Sequence, residues 1–238
     1  MSSAPYDFCI IGAGSGGLSV AAAAAQFGEK VVLIESGKMG GDCLNYGCVP
    51  SKALIAAGKH AHAFGSGEAF GVAAAKAKVD FKKVHDHIHE VIAGIAPHDS
   101  VERFESLGVR VIQAAGRFVD AETVEAGGEQ IKARRFVVAT GSSPSAPPIP
   151  GLDTVDYLTN ETIFLNTSLP KDLIIIGGGP IGMEMAQAHR RLGANVTVLE
   201  AFDPLGKDDP ELTGVVLDHL RDEGVTILAQ AKISNISQ

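Results

Sequence analysis

Two cysteines, Cys43 and Cys48, lie close together in the segment GGDCLNYGCVPSK, which ends in Lys52. Pro50 and the apolar run that follows it predict that a helix begins near this point. A helix N-terminus and a nearby lysine both lower the pKa of a thiol. The segment therefore predicts a reactive thiolate and thiol redox chemistry.

The sequence disfavours two other uses of this cysteine pair. A structural bridge is disfavoured because so short a loop removes little entropy from the unfolded chain, and cytosolic bridges are usually redox-active. Zinc is disfavoured because the sequence has no second ligand pair at metal spacing. The remaining cysteine, Cys9, lies in an apolar run and is expected to be a small core residue.

The cysteine pair follows a pattern typical of a β-α-β unit. Residues 8–11 predict a strand, the glycine-rich residues 12–17 a turn, and residues 18–27 a helix. Residues 31–34 predict a second buried strand, which ends in Glu35. The unit implies a parallel sheet.

The glycine spacing in this turn is that of a dinucleotide site. Gly12 permits the tight turn, Gly14 lets the backbone approach a pyrophosphate, and Gly17 lets the helix pack closely on the strand. The helix N-terminus favours the anion. Glu35 is placed to accept the hydroxyls of an adenosine ribose.

The same pattern returns downstream as a strand at 173–176, a turn at 177–182, a helix at 183–192 and a strand at 196–199 that ends in Glu200. Its glycines are Gly177, Gly179 and Gly182. We therefore expect two dinucleotides. An acid at the position of Glu200 accepts the 2′-hydroxyl of NAD and repels the 2′-phosphate of NADP, and no arginine follows nearby, so NAD is favoured over NADP.

Together with the rest of the sequence, these two units predict an α/β fold. It has two Rossmann-like dinucleotide-binding domains with parallel sheets, and the first domain has an added β-meander. We predict a long helical region from Cys48 to about Leu107, and a boundary near Gly151 after a proline-rich stretch. The domains are residues 1–150 and 151–238, the second incomplete. Short strands are predicted at 109–113, 117–119, 123–126, 130–133 and 136–139, and a final helix and strand at 210–223 and 225–229.

Composition excludes several other classes of protein. The 238 residues carry a formal net charge of −8, which gives no basic footprint for nucleic acid or an anionic membrane. No apolar run approaches the ~20 residues of a membrane-spanning helix. The N-terminal residues have no secretory pattern, so we expect a cytoplasmic protein.

Histidines offer one alternative site. Six of the eight lie between His60 and His98, and His85 and His89 have the i, i+4 spacing that places two side chains on one helix face. No acid or cysteine lies at ligand spacing, so we expect a solvated helix face and no metal site.

Three motifs in this order resemble the class I pyridine nucleotide-disulfide oxidoreductases, which include dihydrolipoamide dehydrogenase, glutathione reductase and mercuric reductase. They are GGDCLNYGCVPSK after a fingerprint ending in VVLIES, then VVATGSSP, then IIIGGGPIGMEMA. The resemblance implies that the first domain binds FAD and the second NAD(P)H. Electrons would pass from NAD(P)H through FAD to a Cys43–Cys48 disulfide, and on to a small-molecule disulfide or metal substrate.

The resemblance also implies catalytic roles. Cys48 resembles the charge-transfer thiolate beside the isoalloxazine, and Cys43 the interchange thiol that attacks the substrate. Lys52 would lie near flavin N5 with Glu184 as its ion-pair partner, since a cation there stabilises reduced flavin. The alternative for Glu184 is an ordinary solvated helix residue.

The expected cofactor-binding set combines these motif residues with others implied by the resemblance. The resemblance implies that Gly116, or the backbone beside it at Ala115, contacts the adenine. The alternative for Gly116 is an ordinary glycine before a strand. The full set is Gly12, Gly14, Ser15, Gly16, Gly17, Glu35, Ser36, Gly41, Asp42, Cys43, Cys48, Lys52, Ala115, Gly116, Ala139, Thr140, Gly141 and Ser142 for FAD, and Gly177, Gly179, Pro180, Ile181, Gly182 and Glu200 for NAD.

The chain departs from that family in length. Family members continue into a segment with an Asp that holds the flavin ribityl, and into a dimerisation domain whose His-Glu pair serves as acid and base. We therefore expect a truncated form of a homodimeric enzyme, lacking the dimerisation domain, with weak or no full turnover. A non-catalytic dinucleotide-binding fragment and a mercuric reductase-like enzyme remain alternatives, and the substrate stays open among lipoamide, glutathione and mercuric ion.

Overall fold

A computed structural model describes residues 6–237, without the side chain of Ala69. Residues 1–5, on which the expected lack of a secretory signal rests, lie outside the described part. The chain forms two compact units, Met1–Pro50 with His89–Pro144, and Ser51–Ile88 with Ser145–Gln238. The domain boundary near Gly151 stays a prediction from the motifs.

The helices and strands follow one another as a repeated α/β pattern. In chain order they are β1 (Tyr6–Ile11), α1 (Ser15–Gln26), β2 (Val31–Glu35), α2 (Gly41–Asn45), α3 (Cys48–Ala63), α4 (Phe81–Ile95), α5 (Val101–Ser106), β3 (Arg110–Gln113), β4 (Arg117–Asp120), β5 (Thr123–Ala126), β6 (Glu129–Val138), β7 (Asp172–Ile176), α6 (Pro180–Leu192), β8 (Asn195–Leu199), α7 (Pro210–Asp222) and β9 (Thr226–Leu228).

The first unit is built on a six-stranded sheet of order β3-β2-β1-β6-β5-β4. Strands β3, β2, β1 and β6 pair in parallel, and β4, β5 and β6 form the antiparallel meander that the sequence predicts. The two strands predicted at 130–133 and 136–139 are one strand, β6. The extended backbone continues without a break from one predicted strand into the other. The first part of β6 pairs with β5, and the second part pairs with β1.

Side chains of β1 alternate between two cores, as the period of a strand requires. Ile10 packs with Leu18 and Ala21 of α1 on one face, and Cys9 packs with Val124 of the meander on the other. Cys9 is fully buried, and burial raises the pKa of its thiol to about 11. The prediction that Cys9 is a core residue is confirmed.

The long helical region predicted from Cys48 to about Leu107 is wrong in extent. It is three separate α-helices, α3, α4 and α5, and residues 73–79 have no helical structure. This alanine- and lysine-rich stretch is almost wholly exposed, so no apolar face holds it against a core. Gly71 adopts φ +75°, which ends the short turn before it, and the Asp80 carboxylate accepts a hydrogen bond from the backbone N–H of Lys83 as α4 begins.

The second unit contains a three-stranded parallel sheet of order β7-β8-β9 with helices α6 and α7. Glu223, just after α7, accepts two hydrogen bonds from Arg191 at 2.6 and 2.7 Å and one from Gln187 at 3.0 Å. This half-buried ion pair fixes the end of α7 against α6. The apolar core between helices and sheet includes Met183, Ala186, Val196, Val198, Leu220 and Val225. Among residues 6–237, no helix is long and apolar enough to cross a membrane.

A buried histidine in this unit predicts acid sensitivity. His189 is 1% exposed, donates from Nδ1 to the Met185 carbonyl and contacts the Phe81 ring. Burial lowers its pKa below the ordinary 6.5, so the unfolded chain takes up the proton at higher pH than the folded chain. We expect the free energy of unfolding to fall as pH drops below about 6.5, by at most about 1.4 kcal/mol per pH unit from this group.

Denaturant titrations between pH 5 and 8 check this prediction. The His189→Gln variant should show a shallower loss of stability on acidification than the natural chain. Equal pH slopes in the two proteins would contradict it.

Candidate active site

The two glycine-rich turns are built alike. Gly12 and Gly177 have φ values of +106° and +112°, in the left-handed region that favours glycine. A Cβ on Gly17 would overlap the carbonyl oxygen of Gly12, and a Cβ on Gly182 would overlap that of Gly177. Each turn therefore needs glycine where the helix meets its strand.

The acid that ends the second strand of each unit closes the glycine turn. Glu35 accepts hydrogen bonds from the backbone N–H of Ala13 at 2.5 Å and of Gly37 at 2.6 Å. Glu200 accepts from Gly178 at 2.6 Å and from Phe202 at 2.8 Å. Each of these bonds uses a different carboxylate oxygen, and each oxygen can accept another. Sequence reasoning gave these acids a ribose role only and missed their part in holding the turn.

Helices α1 and α6 begin in a way that suits a bound phosphate. Their N-cap residues are Gly14 and Gly179, which supply no side-chain acceptor to the first backbone N–H groups. By contrast, Ser100 caps α5 and Asp209 caps α7 through their side chains. Open N–H groups at a helix N-terminus are a favourable environment for a pyrophosphate, so both turns fit a dinucleotide.

The segment that carries the cysteines is packed against the first turn. The backbone N–H of Gly40 donates to the Ala13 carbonyl at 2.9 Å. A Cβ on Gly41 would lie 2.6 Å from Cα of Gly14, so only glycine permits this approach. The Asn45 side-chain amide donates hydrogen bonds to the carbonyl oxygens of Met39 at 3.0 Å and Gly41 at 2.8 Å, which hold this segment in place. This packing brings α2, and with it Cys43, beside the β1–α1 turn.

Cys43 lies in α2, and Cys48 is the first residue of α3. Both are thiols, Cys43 half-buried and Cys48 exposed. Their mutual hydrogen bond raises the pKa of the Cys43 thiol, and burial and the charge of Asp42 act in the same direction. The sequence predicted a lowered thiol pKa in this segment. For Cys43 the shift is upward, because a neighbouring sulfur holds its proton.

This contact predicts how fast Cys43 reacts with an alkylating reagent. In the reduced protein, Cys48→Ala removes the hydrogen-bond partner, so the pKa of Cys43 should fall towards its ordinary value. Alkylation of Cys43 at pH 8 should then be roughly three- to tenfold faster, because the thiolate is the nucleophile. Peptide mass spectrometry against pH measures this rate, and an unchanged pH midpoint for Cys43 would contradict the assignment.

One turn after Cys48, α3 carries Lys52. Its ammonium lies 2.7 Å from both carboxylate oxygens of Glu184 on α6. Both side chains are partly exposed. Glu184 is therefore engaged by Lys52 in the structure, and the role expected for the pair beside a flavin stays a prediction.

Residues 6–238 match the family model described as pyridine nucleotide-disulphide oxidoreductase. The chain belongs to this family. It is 36% identical over 234 residues to a mercuric reductase of Lysinibacillus sphaericus, covering 98% of this chain and 43% of the relative. It is 33% identical to a dihydrolipoyl dehydrogenase of Thermus scotoductus, covering 95% of this chain and 49% of that protein.

Solved structures give the same family assignment. The chain superposes on the HOCl-induced flavoprotein disulfide reductase RclA from Escherichia coli with a TM-score of 0.82 and 28% sequence identity. The match covers 98% of this chain and 51% of that one. The chain thus spans about half the length of the relatives that it matches.

Other predicted site residues of this chain lie at the carboxyl ends of the strands or in the helix turns that follow them. Ala139, just after β6, donates its N–H to the Ile11 carbonyl at 2.8 Å. Gly116 packs against Ile11 and Ile34, which gives a packing reason for glycine there; its adenine contact, with that of Ala115, stays a prediction. Ser15 and Gly16 begin α1, Ser36 follows β2, Asp42 lies in α2, Thr140, Gly141 and Ser142 follow β6, and Pro180 and Ile181 begin α6.

The histidines lie mainly on α3 and α4. His85 contacts the Asp86 carboxylate through Nδ1 at 3.0 Å, and His87 is exposed. Among the residues that the structure describes, no three His, Cys, Asp or Glu residues are grouped to hold a metal ion.

Proposed function

We propose that this chain is the dinucleotide-binding and dithiol portion of an FAD-dependent oxidoreductase. In this proposal the β1–α1 turn binds FAD, the β7–α6 turn binds NAD(H), and Cys43 and Cys48 exchange electrons with the substrate. The observation that carries the proposal is the hydrogen-bonded thiol pair packed against the first glycine turn, through Gly41 on Gly14.

The residues divide the chemistry between them. A bound flavin would supply two-electron transfer between the nicotinamide and the cysteine pair. The exposed Cys48 thiol is open to contact by that flavin. Lys52, which supplies a cation, follows Cys48 by one turn of α3. Glu184 holds this ammonium in place from α6.

The two thiols supply both electrons for reduction of a disulfide substrate. The Cys43 sulfur attacks one sulfur of the substrate disulfide, which releases the first substrate thiol. The Cys48 sulfur next attacks Cys43, which releases the second substrate thiol and forms the Cys43–Cys48 disulfide. Two electrons leave the cysteine pair and two protons end on the products. The pKa of the Cys43 thiol is raised, so its sulfur attacks as the proton leaves, and that proton ends on the first substrate thiol released.

A thiophilic metal ion is the second substrate class that the site suits. Two adjacent thiols are soft ligands, and soft metal ions prefer such ligands. Similarity to proteins named mercuric reductase supports this candidate, and similarity to dihydrolipoyl dehydrogenases supports the disulfide. We also propose the homodimer expected from the family.

A substrate panel tests the proposal. The oxidised protein, in which the Cys43–Cys48 disulfide has been formed, is reduced anaerobically with NADH, and two new thiols per bound flavin are expected. Lipoamide, glutathione disulfide and mercuric ion are then added separately, and loss of these thiols or reoxidation of the flavin identifies the acceptor. If NADH generates no thiols in flavin-loaded protein, the chain is a non-catalytic dinucleotide-binding fragment.

We propose NAD as the nicotinamide cofactor because the Glu200 carboxylate is fixed at the end of β8 by two backbone N–H groups. A fixed negative charge there repels the 2′-phosphate of NADP. In Glu200→Gln one oxygen can still accept a backbone bond, but the charge is gone. We expect the preference for NADH over NADPH to fall roughly tenfold, or about 1.4 kcal/mol in transition-state free energy.

Rates of flavin reduction at several concentrations of each nucleotide measure this preference. Glu211→Gln, which removes an exposed acid from the first turn of α7, is the matched control and should keep the preference. An unchanged preference in Glu200→Gln would contradict the assignment of Glu200.

A further inference from the structure

Helices α3 and α6 are in close contact at Gly58. A Cβ on Gly58 of α3 would lie 3.1 Å from the carbonyl oxygen of Ala188 and 3.3 Å from its Cα. Both of these are backbone atoms of α6. Glycine is poor in the middle of a helix, where it costs stability relative to alanine. Packing against α6 therefore favours glycine at position 58, although glycine has a low helix propensity.

The α6 side of this contact has little freedom to give way. Ala188 is 2% exposed, and Arg191, whose Cβ would be 3.5 Å from the added methyl group, is fixed by two hydrogen bonds to Glu223. A side chain at position 58 would therefore displace α3 rather than move a flexible neighbour on α6.

The same two helices carry the ion pair. Lys52 precedes Gly58 by six residues, and Glu184 precedes Ala188 by four, which at the rise of a helix is about 9 Å and about 6 Å along the axes. The Lys52 ammonium contacts both carboxylate oxygens of Glu184 at 2.7 Å. The crossing thus lies one to two turns from this two-oxygen contact, so a displacement of α3 there is passed to the pair.

We propose that Gly58 is a positioning residue for Lys52. By lacking a side chain, Gly58 sets the separation of α3 and α6 at which the Lys52 ammonium reaches both oxygens of Glu184. The consequence for catalysis rests on the proposed function, in which Lys52 lies beside the flavin. The contact between the helices does not depend on it.

Acylation of lysines tests the positioning directly. The protein is treated briefly with acetic anhydride, and peptide mass spectrometry gives modification of Lys52 relative to Lys59, an exposed lysine on the same helix. Glu184→Gln removes the ion pair and should raise this ratio roughly two- to fivefold, the range for pairs at this exposure. Gly58→Leu should approach that value, and Gly58→Ala should lie between it and the natural protein.

Two comparisons separate positioning from general loosening. Gly214 lies inside α7 with no atom within 4 Å of an added Cβ, so Gly214→Ala and Gly214→Leu are matched controls that should leave the ratio unchanged. In the double variant Gly58→Leu with Glu184→Gln, the ratio should not exceed that of Glu184→Gln alone. A higher ratio in the double variant would mean loosening of α3 and would overturn the proposal.

The remaining outcomes are also decisive. If Gly58→Ala and every folded larger substitution keep the natural Lys52 to Lys59 ratio, Gly58 does not position the pair. If the ratio responds as expected but the natural protein shows no NADH-dependent flavin reduction, the positioning stands and the proposed function fails.

Discussion

Cys43→Ser should lower NADH-dependent disulfide reduction by about 10³-fold or more, while NADH still reduces the bound flavin. Serine keeps the size of the side chain but cannot form a mixed disulfide or close a bond to Cys48. In the proposed function, flavin reduction depends on the second glycine turn and on the nicotinamide, neither of which this variant changes. The two rates are measured separately, one with a disulfide acceptor and one by loss of flavin absorbance in its absence.

Cys9→Ala is the matched control, because Cys9 is fully buried with a thiol pKa of about 11 and takes no part in the proposed exchange. Its disulfide reduction should stay within about twofold of the natural rate. Retained disulfide reduction in Cys43→Ser would remove this thiol from the mechanism.

Gly17→Ala and Gly182→Ala should each disable one nucleotide site and leave the other. In both variants the new methyl group overlaps a carbonyl oxygen of the turn, which cannot move without opening the strand-to-helix junction. We expect a loss of about 2–4 kcal/mol in the stability of the affected unit. Gly17→Ala should be purified without flavin, whereas Gly182→Ala should keep flavin and lose its reduction by NADH.

Flavin content, NADH titration and denaturant unfolding distinguish these outcomes. Gly94→Ala is the control for the substitution itself, since Gly94 lies in α4 with open space around an added Cβ. It should be neutral or stabilising by about 0.4–1 kcal/mol. If Gly182→Ala also lost flavin, or Gly17→Ala kept it, the assignment of one cofactor to each turn would be wrong.

The two β-α-β units could be predicted because each is determined by local sequence. Apolar strands, glycine spacing and a terminal acid occur within about thirty residues, and the structure has both units with Glu35 and Glu200 at the strand ends. The position of the thiol pair at a helix start could also be predicted. Pro50, two residues after Cys48, predicts that a helix begins near this point, and α3 begins at Cys48.

Features that depend on contacts between distant segments could not be predicted from the local sequence. The break between α3 and α4 arises because residues 73–79 find no core to pack against, although their composition favours a helix. The raised pKa of Cys43 depends on the direction in which the Cys48 thiol points. Gly58 carried no sequence signal beyond being a glycine inside a helix, because its reason lies in Ala188, 130 residues away.

We propose above all that the thiol pair exchanges electrons with a flavin held by the first glycine turn. The visible spectrum of the purified protein, recorded before and after anaerobic addition of NADH, tests it most directly. We predict a yellow protein whose flavin absorbance falls with NADH and then recovers as two electrons pass to the Cys43–Cys48 disulfide. The reoxidised flavin should then show a long-wavelength band from its contact with the Cys48 sulfur. A flavin-loaded protein that is bleached by NADH without this band, both in the natural chain and in Cys43→Ser, would contradict the account.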